Sequence, residues 1–359
     1  MLLVFGLAAL IWGVGALLGA PRQARLLMLG LLYVAVLMVQ VALPAGQRRR
    51  GGAGGAPALW LILGGFAALV LGYATVLLRL RARAGHAEGD GPSDAAPARP
   101  PAGPMSETEL ERYARHIVLR ELGGPGQQAL RDARVLVVGA GGLGAPALQY
   151  LGAAGIGTLG VIDDDAVENA NLQRQVIHRD ADIGLPKVFS AQKAIEAQNP
   201  FVAVRPYHRR LDAEIAAALF ADYDVILDGS DNFETRELVN RSAVATGKPL
   251  VWGALSQWEG QLSVFDPAQG APCYACLFPE RPAPGLAPSC AEAGVLGPLP
   301  GVVGAMMAVE AIKIVTGAGA PLRGRLLLYD ALWGESRQVT VKPRAGCPVC
   351  GAGAGAGTA

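Results

Sequence analysis

Two groups of residues in this chain have the types and spacing to do chemistry. The first is Gly139-Ala-Gly-Gly-Leu-Gly144, which follows the short apolar run Val135 to Val138 and leads into a helix-like segment, Ala145 to Leu151. In such a strand, turn and helix, Gly139 takes the tight turn, Gly141 and its neighbour Gly142 let backbone N–H groups approach a ligand, and Gly144 allows close helix packing. The start of the helix adds partial positive charge, so a nucleotide phosphate is the natural occupant. A chain with 48 glycines can carry this pattern by chance, and the pattern alone does not say which nucleotide. The second group is Cys273-Tyr-Ala-Cys276 and Cys347-Pro-Val-Cys350. Four thiolates in two matched pairs suit a closed tetrahedral structural zinc, with disulfides or a redox pair as the alternatives. The 70 residues between Cys276 and Cys347 make such a site a clip between distant segments rather than a zinc finger.

The residues around the glycine loop narrow the choice of nucleotide. A second strand, Gly157 to Ile162, ends in Asp163-Asp-Asp165, and Asp163 lies 24 positions past Gly139, near the spacing at which an acidic residue meets a ribose hydroxyl. Asn171-Leu-Gln-Arg-Gln175 follows, and then Gly184-Leu-Pro-Lys187 at the start of another helix. A site handling a triphosphate needs cations on the oxygens of the leaving pyrophosphate, and Arg174 and Lys187 can supply them. An NAD-dependent oxidoreductase would share the glycine loop but would leave Arg174, Lys187 and the cysteine clip without a role. Further on, the strand Val225 to Asp228 runs into Gly229-Ser-Asp231-Asn232. Ligands of open α/β sheets bind beyond the carboxyl ends of strands, so Asp231 is placed for chemistry; the alternative is an N-cap for the helix Phe233 to Thr246.

Arg112-Tyr-Ala-Arg115, the glycine loop, Asn171-Leu-Gln-Arg-Gln175 and Pro186-Lys187 together resemble the E1-like adenylyltransferase (HesA/MoeB/ThiF) family, within it most of all the molybdopterin-synthase adenylyltransferase and thiamine-pathway group. The resemblance spans about Met105 to Cys350. It implies a Rossmann-like, mainly parallel α/β fold that binds ATP and adenylates the C-terminal glycine carboxylate of a ubiquitin-like sulfur carrier, for molybdopterin or thiamine biosynthesis. By the same resemblance Gly139, Gly141, Gly142 and Gly144 cradle phosphate, Asp163 holds ribose, and Asn171, Arg174 and Lys187 contact the phosphates. Asp231 becomes the Mg²⁺-associated aspartate, and Arg115 enters the site of a second subunit, which implies a homodimer. Some relatives use a cysteine at the place of Cys290 for a covalent link to the carrier; the plainer reading is an inert loop cysteine between a proline-rich stretch and a helix. The chain shows no rhodanese-like segment after Cys350, so the sulfur donor is expected to be a separate protein. The alternatives are a tRNA threonylcarbamoyladenosine dehydratase of the same superfamily and a non-catalytic membrane scaffold.

The elements that must position these residues occupy only the later part of the chain. Mean hydropathy is +0.33, high for a soluble protein, and the excess lies at the front. Residues 2–20, 26–43 and 58–78 are apolar runs close to the roughly 20 residues that span a bilayer, which predicts three transmembrane helices within residues 1–83. Arginine placement favours a cytoplasmic C-terminal domain on an inner membrane, with Arg22, Arg25, Arg79, Arg81 and Arg83 on its side against Arg48, Arg49 and Arg50 on the other. Residues 84–105 read as a flexible Ala/Pro/Gly linker and 351–359 as a disordered tail, leaving 106–350 as the ATP-binding domain. Nine arginines and three acidic residues precede residue 106, so the remainder carries 22 basic and 27 acidic residues, a net of −5 that argues against nucleic acid as a partner. Ser106-Glu-Thr-Glu109 has capping-box spacing ahead of an amphipathic helix. Strands are expected at 202–207, 249–254, 326–329 and 339–341, and helices at 187–198, 213–220 and 301–316, the last closed by Gly317. His116, His178 and His208 fit no metal spacing and read as structural.

Overall fold

The computed structural model describes residues 2–17, 22–42, the positions 65, 69, 72 and 73, and then 103–281 and 293–351. The chain divides into two compact units, Met1–Gly91 and Pro92–Ala359.

The first unit holds helices α1 (Leu2–Leu17) and α2 (Arg22–Ala42), which pack on each other. The Arg25 guanidinium lies 5.0 Å from the centre of the Trp12 ring. These helices coincide with the first two expected spans, and most of the third lies outside the described residues. The expectation of three transmembrane helices is not supported. With 16 residues, α1 is about 24 Å long, short of the roughly 30 Å of a hydrocarbon core. Among the described residues, the one helix long and apolar enough to cross a membrane is Pro298–Thr316, and it is a core helix of the second unit.

The second unit opens with α3 (Glu107–Ile117) and α4 (Gly123–Asp132). The expected capping box starts α3: Glu109 N–H donates to Ser106 Oγ, and Ser106 N–H donates to Glu109 Oε2 at 2.8 Å. The other carboxylate oxygen of Glu109 pairs with Arg131 Nε at 3.1 Å, and both side chains are buried, so the cap also ties α3 to α4. Then follow β1 (Arg134–Val138), α5 (Gly144–Ala154), β2 (Thr158–Ile162), α6 (Lys187–Gln198), β3 (Ala203–Tyr207), α7 (Ala213–Ala221), β4 (Val225–Asp228), α8 (Phe233–Ala245) and β5 (Leu250–Leu255). The remainder comprises β6 (Glu259–Phe265), the short α9 (Tyr274–Leu277), α10 (Pro298–Thr316), β7 (Arg325–Asp330) and β8 (Glu335–Thr340).

All eight strands form one sheet in the order β3-β2-β1-β4-β5-β6-β7-β8. The pairings from β3 across to β5 are parallel, and those from β5 to β8 antiparallel. Alternation along β1 sends Val135 and Val137 into one core and Leu136 and Val138 into the other, as a strand covered on both faces requires. The first core packs against α5 and α10, where Val303, Met307 and Ala311 are buried; the second packs against α7 and is built around Phe220, Tyr223 and Trp252. Helix α10 ends at Gly317, in the left-handed region at φ 70°, as expected of a glycine C-cap. Strand β6 was not expected: Glu259-Gly-Gln261 is too polar to signal a strand, and pairing with β5 and β7 imposes it.

Candidate nucleotide site

Sheet register builds the site. Val138 at the end of β1 lies beside Ile162 of β2 and Asp228 of β4, so Gly139, Asp163 and Gly229 emerge side by side at the carboxyl edge. The order of strands reverses between β1 and β4, which is where open α/β sheets hold ligands. A cleft of about 640 Å³ lies there, and it is lined by Gly139, Gly141, Gly142, Asp163, Arg174, Lys187 and Asp231, which the sequence singles out.

The glycines are required by geometry. Gly139 has φ 91°, and a Cβ on it would lie 3.2 Å from the Gly229 carbonyl oxygen. Gly144 opens α5 so close beneath the loop that a Cβ there would overlap the Gly139 carbonyl oxygen. The loop is then fastened from β2: Asp163 Oδ2 accepts from Ala140 N–H at 2.8 Å, and Oδ1 accepts from Asp165 N–H at 2.8 Å. Burial pushes the Asp163 carboxyl above the usual carboxylate range, and Lys187 pulls it back.

Lys187, the first residue of α6, is buried along its stem, and its Nζ reaches the largely exposed Asp165 at 2.7 Å. Arg174 donates to the carbonyl of Ala170 at 3.2 Å and to Asn171 Oδ1 at 3.3 Å. Asn171 itself does not line the cleft; it sits one step back and orients Arg174. Asp231 is exposed in the cleft, and the capping alternative goes to its neighbour: Asn232 Oδ1 accepts from Thr235 N–H at 2.9 Å and is the N-cap of α8. Arg115 is exposed on α3 and does not line the cleft within one chain. Cys290 lies outside the described residues.

Sequence reasoning missed the residues beneath and opposite these. Asp228 is fully buried; its Oδ1 accepts from Ser230 N–H at 2.9 Å and Oγ–H at 2.6 Å, while its Oδ2 has no partner. Burial pushes this carboxyl up, and Arg236 opposes the shift. Arg236 donates to the Ser230 carbonyl at 3.1 Å and lies 5.7 Å from the Trp252 ring, so Asp228 and Arg236 brace the turn that carries Asp231. Arg209 and Arg210 line the cleft just beyond β3, and two adjacent arginines at the end of an expected strand were the available signal.

The cysteines meet one another outside the cleft lining. Their four sulfur atoms lie within 4.8 Å of one another, with Cys273 to Cys347 at 3.7 Å, Cys273 to Cys276 at 3.9 Å and Cys276 to Cys350 at 3.4 Å. Zinc–sulfur bonds of about 2.3 Å in a tetrahedron set sulfur separations of about 3.8 Å, close to the spacing of these thiols, so the donor set fits a zinc ion. No disulfide joins them. Arg344 N–H, at 3.3 Å from Cys276 Sγ, adds the kind of backbone donor that steadies a thiolate ligand.

A glycine cradle at the switch point of a parallel sheet, faced by cations and an unpaired carboxylate and followed by a four-thiol clip, defines a nucleotide-binding protein of the E1 type. The chain matches the ThiF family over residues 113–349 and belongs to that family. It is 52% identical over 250 residues to the sulfur carrier protein adenylyltransferase of Thermus thermophilus, a match covering 68% of this chain and 92% of that protein. It is 45% identical to the molybdopterin-synthase adenylyltransferase of Escherichia coli, over 69% of this chain and 98% of that one. The probable adenylyltransferase/sulfurtransferase MoeZ of Mycobacterium tuberculosis is 53% identical over 67% of this chain, but the match spans only 62% of MoeZ. Among solved structures, E. coli MccB with ATP superposes with a TM-score of 0.58 over 70% of this chain and 77% of that one; at 22% identity this shows the fold alone.

Proposed function

We propose that the protein is an adenylyltransferase that activates the C-terminal carboxylate of a ubiquitin-like sulfur-carrier protein with ATP. The observation that carries this reading is the 52% identity across 92% of a sulfur carrier protein adenylyltransferase, in a chain whose cleft gathers the glycine loop, Arg174, Lys187 and Asp231. A carrier carboxylate oxygen attacks the α-phosphorus of ATP, the bond from that phosphorus to the bridging oxygen breaks, and pyrophosphate leaves with the electron pair. No general base is required, because a carboxylate is already ionised at neutral pH.

Each role follows from the charge that develops. Backbone N–H groups of the loop hold phosphate, Arg174 and Lys187 offset the charge gathering on the pyrophosphate, and Asp163 keeps the loop in shape while offering remaining lone pairs to ribose. Asp231, exposed and free of ion pairs among the described residues, suits a Mg²⁺ ion, which when bound neutralises phosphate charge. Cys273, Cys276, Cys347 and Cys350 would hold a structural zinc. Arg115, exposed and outside its own cleft, completes the site of a second subunit in a homodimer. The acidic balance after residue 105, 22 basic against 27 acidic residues, argues against nucleic acid as a substrate. The localisation in this reading is the inner membrane, with the second unit in the cytoplasm; the support is the exposed apolar set Leu7, Leu10, Met28, Leu31 and Met38, with Arg22 and Arg25 in the first turn of α2.

ATP–pyrophosphate exchange with purified carriers ending in Gly-Gly tests the activity, and mass spectrometry of the carrier reads the added AMP. Exchange that no such carrier stimulates would sink the reading. Mixing Arg115→Ala with Asp231→Ala subunits tests the shared site: hybrids should regain activity that neither parent has.

A further inference from the structure

Ala140, between the first two glycines of the loop, is fully buried, and both of its backbone groups are held. Its N–H donates to Asp163 at 2.8 Å, and its carbonyl oxygen lies 2.9 Å from Nε2 of His178. His178 is buried too; its Nδ1 lies 2.9 Å from Ser190 Oγ, and Ser190 Oγ–H donates to Asp182 Oδ2 at 3.0 Å. His178 belongs neither to the cleft lining nor to the thiol clip.

A trans peptide points its carbonyl and the next N–H in opposite directions. Drawing the Ala140 carbonyl down onto His178 therefore turns the Gly141 N–H the other way, toward the cleft that Gly141 lines. That N–H has no protein partner among the described residues. We propose that His178 is a positioning residue for ATP: its Nε2–H holds the Ala140 carbonyl so that the Gly141 N–H faces the phosphates. The proposal rests on the reading of the cleft as an ATP site.

Ser190 allows this hold in both charge states of the imidazole, because a hydroxyl both donates and accepts. With neutral His178, Ser190 turns its one hydrogen from Asp182 to Nδ1, giving up that bond, and the ring proton stays on Nε2. With the imidazolium, Nδ1–H donates to Ser190, which turns its own hydrogen to Asp182. Nε2–H meets the Ala140 carbonyl in both states. Burial pushes the His178 pKa down, the Ala140 carbonyl pulls it up, Lys187 pushes it down, and Asp182 pulls it up. The other charged groups nearby are Lys193, 3.5 Å from Asp182, and Asp165, paired with Lys187.

The test measures the Kd of Mg·ATP by calorimetry, and KM and kcat in pyrophosphate exchange, at about pH 5 and about pH 8, a range widened downward because burial lowers the His178 pKa. Wild type should bind ATP equally at both. His178→Phe should raise Kd and KM about tenfold with a smaller change in kcat, as loss of one buried hydrogen bond predicts. His178→Gln, whose side-chain amide can donate to the same carbonyl, should recover most of the loss. Ser190→Ala frees the tautomer choice, so its Kd should be weaker at the higher pH; this variant decides the matter if His178→Phe does not fold. Unchanged ATP affinity in His178→Phe, no recovery in His178→Gln, or pH-independent binding by Ser190→Ala would overturn the proposal. A wild-type chain that binds no ATP overturns the reading of the cleft as well, whereas a binding wild type with unaffected variants overturns the role of His178 alone.

Discussion

The two halves of the sheet are held by different means. From β3 to β5 the strands are parallel, short and covered by helices on both faces; β1 and β4 present no more than one side chain that is not buried. From β6 to β8 the strands are antiparallel, and every residue of β8 is exposed. An edge strand with so little apolar burial draws its stability from hydrogen bonds alone, so something else must fix it. The thiol clip lies where this need is greatest: it joins the chain just after β6 to the chain just after β8. One half thus holds the chemistry in a close-packed frame, and the other is stapled across its open end.

Breaking each half should therefore give opposite signatures. The largest effect is expected from Asp231→Ala, which should lower exchange by about 10³-fold or more with the circular dichroism spectrum unchanged, the usual scale for losing a charged group at the reacting centre. Activity within tenfold of wild type would remove Asp231 from the chemistry. Gly144→Ala attacks the frame itself: its Cβ has no space above β1, and the urea midpoint should fall by the equivalent of about 3 kcal/mol. A variant as stable as wild type would show that the loop and α5 can separate.

Cys347→Ser should release the clip, with bound zinc falling well below one per chain and stability dropping by about 2 to 4 kcal/mol, while ATP affinity stays within about threefold. Loss of ATP binding in that variant would mean that the halves are coupled. The smallest effect belongs to Trp333→Ala on the turn between β7 and β8; with the ring 75% exposed, stability should change by less than about 0.5 kcal/mol. A larger loss would point to buried contacts for Trp333 in an assembly.

Local sequence was informative wherever neighbours along the chain do the work. The capping box at Ser106, the glycine C-cap at Gly317 and the glycine loop were legible because each is built from residues a few positions apart. The site was legible in part: Arg174, Lys187, Asp163 and Asp231 carry charge at strand and helix ends, which is visible in sequence. Asp228, Arg236 and the role of His178 were not, since burial and register give them their place and neither is written in a short motif. The opening apolar runs misled for a related reason. Hydropathy counts residues, and among the described residues the helix that meets the length and apolarity test lies between α5 and the sheet.

By itself the sequence determined that a strand, a glycine turn and a helix would form a phosphate cradle, and that four thiols in two pairs were available to a metal. These follow from backbone freedom, periodicity and ligand chemistry, which act locally. Only the tertiary structure decided that Gly139, Asp163 and Gly229 stand in one row, and that Asn232 rather than Asp231 caps α8. It alone brought Cys273 to 3.7 Å from Cys347 and set His178 beneath Ala140. The reason is that strand register and helix packing bring together residues tens of positions apart, and no spacing along the chain records which of them will meet.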